Sequence, residues 1–489
     1  MTRQRTSSKS RRADAWLWAP ILLSVAGIGI SGYLVAKRFT GGGLACSRWA
    51  QCDVVNNSMY AVLYGVPVSV IGLAGYLLLL VCFAPPLCYH RDLPSGHLHT
   101  SDRRRWRSTY VIASRAQEIE PFMVMEVLER AQELEARGEQ IVHLEIGEPD
   151  FATPACIQEA MARAVKDGQT GYTHSLGILP LREAIAEHYA ERYGVQVTPD
   201  RILVTAGTSP AMWMLFAMLL EAGDEVVLSD PHYACYPNFI RFCGGRPVCV
   251  DIAEEDGFQF RPEDVQRKLT PRTKALLINS PANPTGTLLS AERMAALARL
   301  GPLVVSDEIY HGLVYEGREH SVLEFTDRAV VFNGFSKAFA MTGWRLGYMI
   351  VPREMVRPLQ KMHQNFFISA NAFVQAAGVA ALKEGPPETA RMRAIYDQRR
   401  RYLVPALRGL GFGVASEPTG AFYVFANARR FGADSRAMAF DILERAKVCV
   451  APGIGFGKNG EGYLRFSYAN SLENLAEGLR RLQRFLASG

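Results

Sequence analysis

The stretch FSKAFAMTGWRLG, Phe335 to Gly347, sets Lys337 and Arg345 in an otherwise apolar and aromatic context. A lysine held among apolar groups is pushed toward its neutral form, and a neutral amine attacks carbonyl carbon. Other residues capable of chemistry fall where apolar runs stop. Gly207-Thr208-Ser209 follows RILVTA, Pro231-His232-Tyr233 follows DEVVLSD, and Asn283 to Gly286 (NPTG) follows ALLINSP. Asp307 and Tyr310 close PLVVSDE, and Ser336-Lys337 closes AVVFNGF. Taken singly these are a helix cap, a turn and a core tyrosine. Taken together they mark one site, because ligands of open α/β sheets bind at the carboxyl ends of the strands.

The residue types specify what that site would hold. Gly207, Thr208 and Ser209 opening a helix offer backbone N–H groups, hydroxyls and the positive end of a helix dipole, which suits an anion. Ser336 adds a hydroxyl and Arg345 a guanidinium fitted to phosphate. Tyr233 supplies a flat face, Asp307 a carboxylate for a protonated ring nitrogen, and Asn283 with Tyr310 partners for a ring hydroxyl. With Lys337 as the carbonyl-reactive amine, the set describes pyridoxal 5′-phosphate.

Positioning these residues calls for an α/β domain with a mainly parallel sheet. From about Tyr110 onward, short β-branched or apolar runs alternate with amphipathic ones of helix length. The expected strands end at Gly207, at Asp230, near Ser280, near Glu308 and near Phe335. Helices are expected at Ala211–Leu220 and Ala291–Leu300.

From about Val111 to the C-terminus the chain resembles the class I/II aminotransferases of the fold-type I pyridoxal-phosphate enzymes, close to the bacterial aspartate aminotransferase group. The motifs are EIGEPDFATP, GYTHSLGILPLREAIAEHY, NSPANPTGT, SDEIY, SKAFAMTGWRLGY, PTGAFYVF and YLRFSYA, in family order. The resemblance implies Lys337 as the Schiff-base lysine, Asp307 as partner of the ring nitrogen, and Asn283 with Tyr310 as ligands of the ring hydroxyl. It implies Tyr233 as the stacking ring and Gly207, Thr208, Ser209, Ser336 and Arg345 as the phosphate cup. Tyr172 matches a tyrosine sent across a homodimer interface to the neighbour's phosphate. Arg465, with Asn283 and Gly147, matches the site for the substrate's α-carboxylate. The implied reaction is ping-pong transfer of an amino group between an L-amino acid and a 2-oxo acid, with Lys337, Asp307 and Tyr310 catalytic. Side-chain specificity stays open, since His174 and Ser175 differ from what aspartate-preferring relatives often carry. Related carbon–sulfur lyases use the same cofactor set.

The N-terminal part is of another kind. Ala15 to Ala36 and Met59 to Cys88 are uncharged runs long enough to cross a bilayer. Basic residues precede the first and follow the second, which places both ends and the body in the cytoplasm of a cell whose inner membrane carries the hairpin. The segment Cys46 to Tyr76 resembles the first half of the vitamin K epoxide reductase family, through Cys46 and Cys52 in the outer loop, Ser58 and the run GVPVSVIGLAGY. The resemblance makes Cys46 and Cys52 disulfide candidates. The C-x-x-C and later helices of that family are absent from this sequence. The competing reading for the whole chain is a membrane thiol-disulfide redox protein, acting through Cys46 and Cys52, whose soluble portion is passive. The expected organisation is a transmembrane hairpin at 1–90, a basic linker at 91–109 and the aminotransferase at 110–489. Within the last, the small domain takes about 110–150 plus 390–489 and the large domain about 151–389.

At 489 residues the chain can bury more than one core, and its net charge of +6 is concentrated in TRQRTSSKSRR and DRRRWR, which flank the apolar runs. With no accompanying recognition motif, that charge gives no reason to expect nucleic-acid binding. The other seven of nine cysteines are scattered and form no metal-ligand spacing.

Overall fold

A computed structural model of the chain describes residues 112–488 throughout and a scatter of residues between 25 and 76. Two compact units divide it, Met1–Thr109 and Tyr110–Gly489. In the first, described residues between 25 and 36 and between 70 and 76 are helical, and Val62–Leu63 pairs antiparallel with Val66–Pro67. Gly27 lies so close to the ring of Tyr76 that a Cβ there would stand 2.5 Å from it. Among the described residues no helix is long and apolar enough to cross a membrane. Cys46, Cys52, Ser58 and the linker 91–109 lie outside the described residues.

The second unit contains twelve strands: β1 (Val142–His143), β2 (Ile202–Thr205), β3 (Glu225–Asp230), β4 (Arg246–Asp251), β5 (Thr273–Asn279), β6 (Leu303–Asp307), β7 (Ala329–Gly334), β8 (Gly347–Ile350), β9 (Tyr423–Asn427), β10 (Val448–Cys449), β11 (Ala451–Pro452) and β12 (Tyr463–Ser467). Seven of them form one sheet in the order β2-β8-β7-β6-β5-β3-β4. Its pairs are parallel except those made by β8, which runs antiparallel to both β2 and β7. This is an α/β fold with a mostly parallel sheet.

Successive strand side chains point to opposite faces, so each strand feeds two cores. Val227, Leu276, Ile278, Val304 and Val331 pack on one side with Leu181, Ile185 and Tyr189. Val226, Leu228, Leu277, Val305 and Phe332 pack on the other with Met212, Leu215 and Phe216. Burial on both faces removes any polar alternation, which is why these strands read as unbroken apolar runs.

All five expected strands are present, with β4 and β8 in addition. Pro247 and the exposed Arg246 and Asp251 hide β4, an edge strand, from a search for apolar runs. The expected helices are present as Thr208–Leu219, here α1, and Ala291–Ala298. A third core joins β9 and β12 to the long helix Pro386–Gly409 through Leu403, Leu407, Phe422, Val424 and Phe466.

Candidate active site

The carboxyl ends of β2, β5, β6 and β7 open into a cavity of about 340 Å³. Thr208 and Ser209 reach it from the start of α1, Asp307 from the last residue of β6, and Ser336 and Lys337 from the turn after β7. Tyr233, Asn283, Tyr310, Arg345, Gly147 and Arg465 complete the expected set on its wall. Gly147 and Arg465, 318 positions apart (465 − 147), line the same cavity.

Gly207 does not line the cavity but shapes it. Its φ of 88° favours glycine, and a Cβ there would stand 2.5 Å from Nη2 of Arg345. Arg345 itself holds φ 53°, uncommon for a residue with a side chain, while its Nη1 donates to the Thr342 carbonyl at 2.8 Å. Such backbone persists where surrounding structure fixes it, and here it directs a cation at the start of α1.

Burial sets the electrostatics. The Lys337 amine is pulled down to about 8, first by desolvation and further by the cations of Arg465 and Arg345, against the opposing pull of Glu148. Its Nζ donates to the Gly147 carbonyl. Asp307 is pushed up to about 6 by burial, although the Tyr236 hydroxyl donates to its Oδ2 at 2.7 Å and the Ile309 N–H to its Oδ1 at 3.2 Å. Tyr310 shares a 2.8 Å hydrogen bond with the Tyr423 hydroxyl, and burial raises its phenol.

Arg465 is the most exacting feature. It is 2% exposed, its guanidinium lies 4.3 Å over the Tyr423 ring and 4.8 Å from that of Phe456. Nη1 donates to Asn283 Oδ1 at 2.9 Å and Nη2 to the Glu145 carbonyl, while the buried Nε has no partner. Among the described residues no carboxylate lies in ion-pair reach of it or of Arg345. A buried cation without a counter-charge costs several kcal/mol, so Arg465 is built to receive an anion, while Arg345 is an exposed cation free to meet one.

These donors fit pyridoxal phosphate: hydroxyls, a helix start and Arg345 for a phosphate, Asp307 for a cationic ring nitrogen, and a depressed amine at Lys337 for an aldehyde. Tyr172 stands apart, 85% exposed and off the cavity wall. Sequence reasoning missed Tyr236 and Tyr423, which hold Asp307 and Tyr310, and Glu148, which accepts from the Thr342 hydroxyl. Tyr423 and Glu148 sit inside quoted motifs, and Tyr236 opens the short helix after Tyr233. Pairing of β1 with β10 also brings His143, Glu145 and Cys449 together, a cluster invisible to sequence spacing.

Comparison with known proteins agrees with this geometry. The family model described as aminotransferase class I and II matches residues 139–482. That of the vitamin K epoxide reductase family matches residues 18–116. A (5-formylfuran-3-yl)methyl phosphate transaminase of Methanocaldococcus jannaschii is 42% identical over 380 residues, covering 77% of this chain and 100% of its own. An aspartate aminotransferase of Pyrococcus horikoshii is 37% identical over 390 residues, covering 78% and 99%. The structure of the Thermus thermophilus aspartate aminotransferase with maleate superposes with a TM-score of 0.74 at 39% identity, covering 77% of this chain and 100% of that one.

Proposed function

The chain belongs to the class I and II aminotransferases and is a pyridoxal-phosphate-dependent transaminase, and from that premise we propose how its own residues carry the reaction. Arg465 is the observation that carries the reading: an amino acid's α-carboxylate supplies the counter-charge this buried guanidinium lacks. Asn283, already bonded to it, and the backbone at Gly147 complete that grip.

Thr208, Ser209, Ser336 and Arg345 would hold the cofactor's phosphate, with Gly207 letting the guanidinium lie against the start of α1. Tyr233 would stack on the ring, Asn283 and Tyr310 bond its hydroxyl, and Asp307 keep its nitrogen protonated. When bound, pyridoxal phosphate supplies an aldehyde carbon that takes up the amino group and a ring that delocalises the electron pair left at Cα. Lys337, neutral at modest cost because burial has lowered its pKa, would hold that aldehyde. Once released, its Nζ removes the proton from the donor's Cα, acting first as base and then as acid. The donor leaves as a 2-oxo acid, having given up its amino nitrogen and that proton and taken its oxo oxygen from water. A second 2-oxo acid runs the sequence backwards, so oxidation and reduction balance between the two substrates. Tyr310, braced by Tyr423, steadies the ring hydroxyl through both halves.

Arg465→Lys tests the assignment. A point charge cannot reproduce the planar fork. Losing one charge-assisted bond of about 2 kcal/mol raises KM for the amino donor roughly 30-fold with kcat little changed. An unaltered KM would remove Arg465 from the substrate site.

Tyr172 is assigned to the partner subunit's phosphate in a homodimer, which accounts for a large ring left 85% exposed. The small domain comprises about 110–150 plus 390–489 and the large one about 151–389. The segment 1–90 is assigned as a membrane hairpin of the inner membrane with the transaminase on the cytoplasmic side. Its support is the two uncharged runs, the flanking arginines and the vitamin K epoxide reductase match. Cys46 and Cys52 are assigned to a disulfide in the outer loop, without independent redox chemistry, since the chain has no C-x-x-C to receive the electrons.

A further inference from the structure

We infer that the amino donor of this enzyme carries a large apolar side chain, of the leucine, methionine or phenylalanine kind, and that a second carboxylate is excluded. The inference rests on the roles just given to Lys337, Arg345 and Arg465. Those three are the cations that line the cavity among the described residues, and each is committed: to the aldehyde, to the phosphate and to the α-carboxylate. A dicarboxylic donor would bring a second anion with no uncommitted cation of this subunit to meet it. It would also meet Glu148, whose carboxylate lines the same cavity and already accepts from the Thr342 hydroxyl. Against the apolar part of this wall a charge loses hydration without a partner to replace it.

The remaining wall explains what is accepted instead. Phe122, Val124, Met125 and Leu128 enter from the beginning of the helix Met123–Glu135 and the residue before it, and Ile146 enters just beyond β1. Phe122 meets the edge of Tyr233, the ring assigned to stack on the cofactor, at 6.2 Å between centroids. This apolar surface is therefore continuous with the cofactor site, where a donor's side chain would lie. A small donor such as alanine leaves that surface unfilled. In an apolar pocket each missing methylene lowers kcat/KM by roughly 10-fold or more.

The test uses the full-length holoenzyme and follows cofactor absorbance through one half-reaction with L-phenylalanine, L-leucine, L-methionine, L-alanine, L-lysine and L-aspartate. For at least one of the first three, kcat/KM is expected to exceed that for aspartate by about 100-fold and that for alanine by about 1000-fold. Aspartate, alanine or lysine equalling the best apolar donor overturns the inference and leaves the transaminase reading standing. No reaction with any donor overturns both. Met125→Arg supplies the second arm, and its 44% exposure lets the change be accommodated. It is expected to raise the aspartate-to-leucine ratio at least 10-fold, because a guanidinium now faces the second carboxylate. An unchanged ratio would mean that the donor's side chain does not lie on this wall.

Discussion

Asp307→Asn separates what the buried carboxylate costs the fold from what it gives the cofactor. Its folded pKa of about 6 against an ordinary 3.8 means the native state holds the proton more tightly. Between those values the folded protein binds more protons than the unfolded chain, so the group's contribution to stability is fully present below 3.8 and is lost as pH rises through 6. At 1.36 kcal/mol per pH unit, the ionised carboxylate in the cofactor-free protein costs about 3 kcal/mol at pH 8 and about 1.5 kcal/mol at pH 5. Asparagine removes that cost. Its carbonyl oxygen can keep the Ile309 N–H, and its amide can donate to the Tyr236 hydroxyl. Urea unfolding of the cofactor-free chain should therefore show the variant gaining on the wild type by roughly 1–1.5 kcal/mol between pH 5 and pH 8. Pyridoxal phosphate affinity should fall about 100-fold or more at pH 8, since the ring cation loses a buried anionic partner worth about 3 kcal/mol. A stability difference that ignores pH, together with unchanged cofactor affinity, would refute the placement of this carboxylate opposite a cation.

Three further outcomes follow from other parts of the chain. His143 sits between Glu145 at 2.8 Å and Glu135 at 3.1 Å, and is raised to about 9, first by the hydrogen bond to Glu145. That stability is complete below 6.5 and lost as pH rises through 9, so His143→Gln should cost about 1–2 kcal/mol at pH 7 after solvent screening and nothing at pH 10, read as the difference in unfolding midpoints. A penalty that persists at pH 10 would assign His143 to packing instead. The full chain should sediment with membranes and resist extraction by high salt, while a chain beginning at Tyr110 should not. Thiol-reactive probes applied from outside should modify Cys46 and Cys52 only after reduction, and modification without reductant would exclude the disulfide.

The parts of the site most legible in the sequence were those forced by backbone geometry. Strands β2, β3, β5, β6 and β7 are buried on both faces, so their apolar runs stop where the chain turns into the cavity, and Ser209, Asp307 and Lys337 stand at those stops. Tyr236 and Tyr423 were not legible because their roles depend on partners 71 and 113 positions away, set by tertiary packing. The edge strand β4 was hidden by Pro247 and its exposed ends. The missing counter-charge at Arg465 has no sequence signature, since any acidic residue could have been folded against it.

Borohydride reduction of the holoprotein followed by peptide mapping tests the central claim most directly. The cofactor's mass is expected to become fixed to the peptide carrying Lys337, and Lys337→Ala is expected to bind the cofactor without retaining it after reduction. Label on another lysine, or none at all, would contradict it.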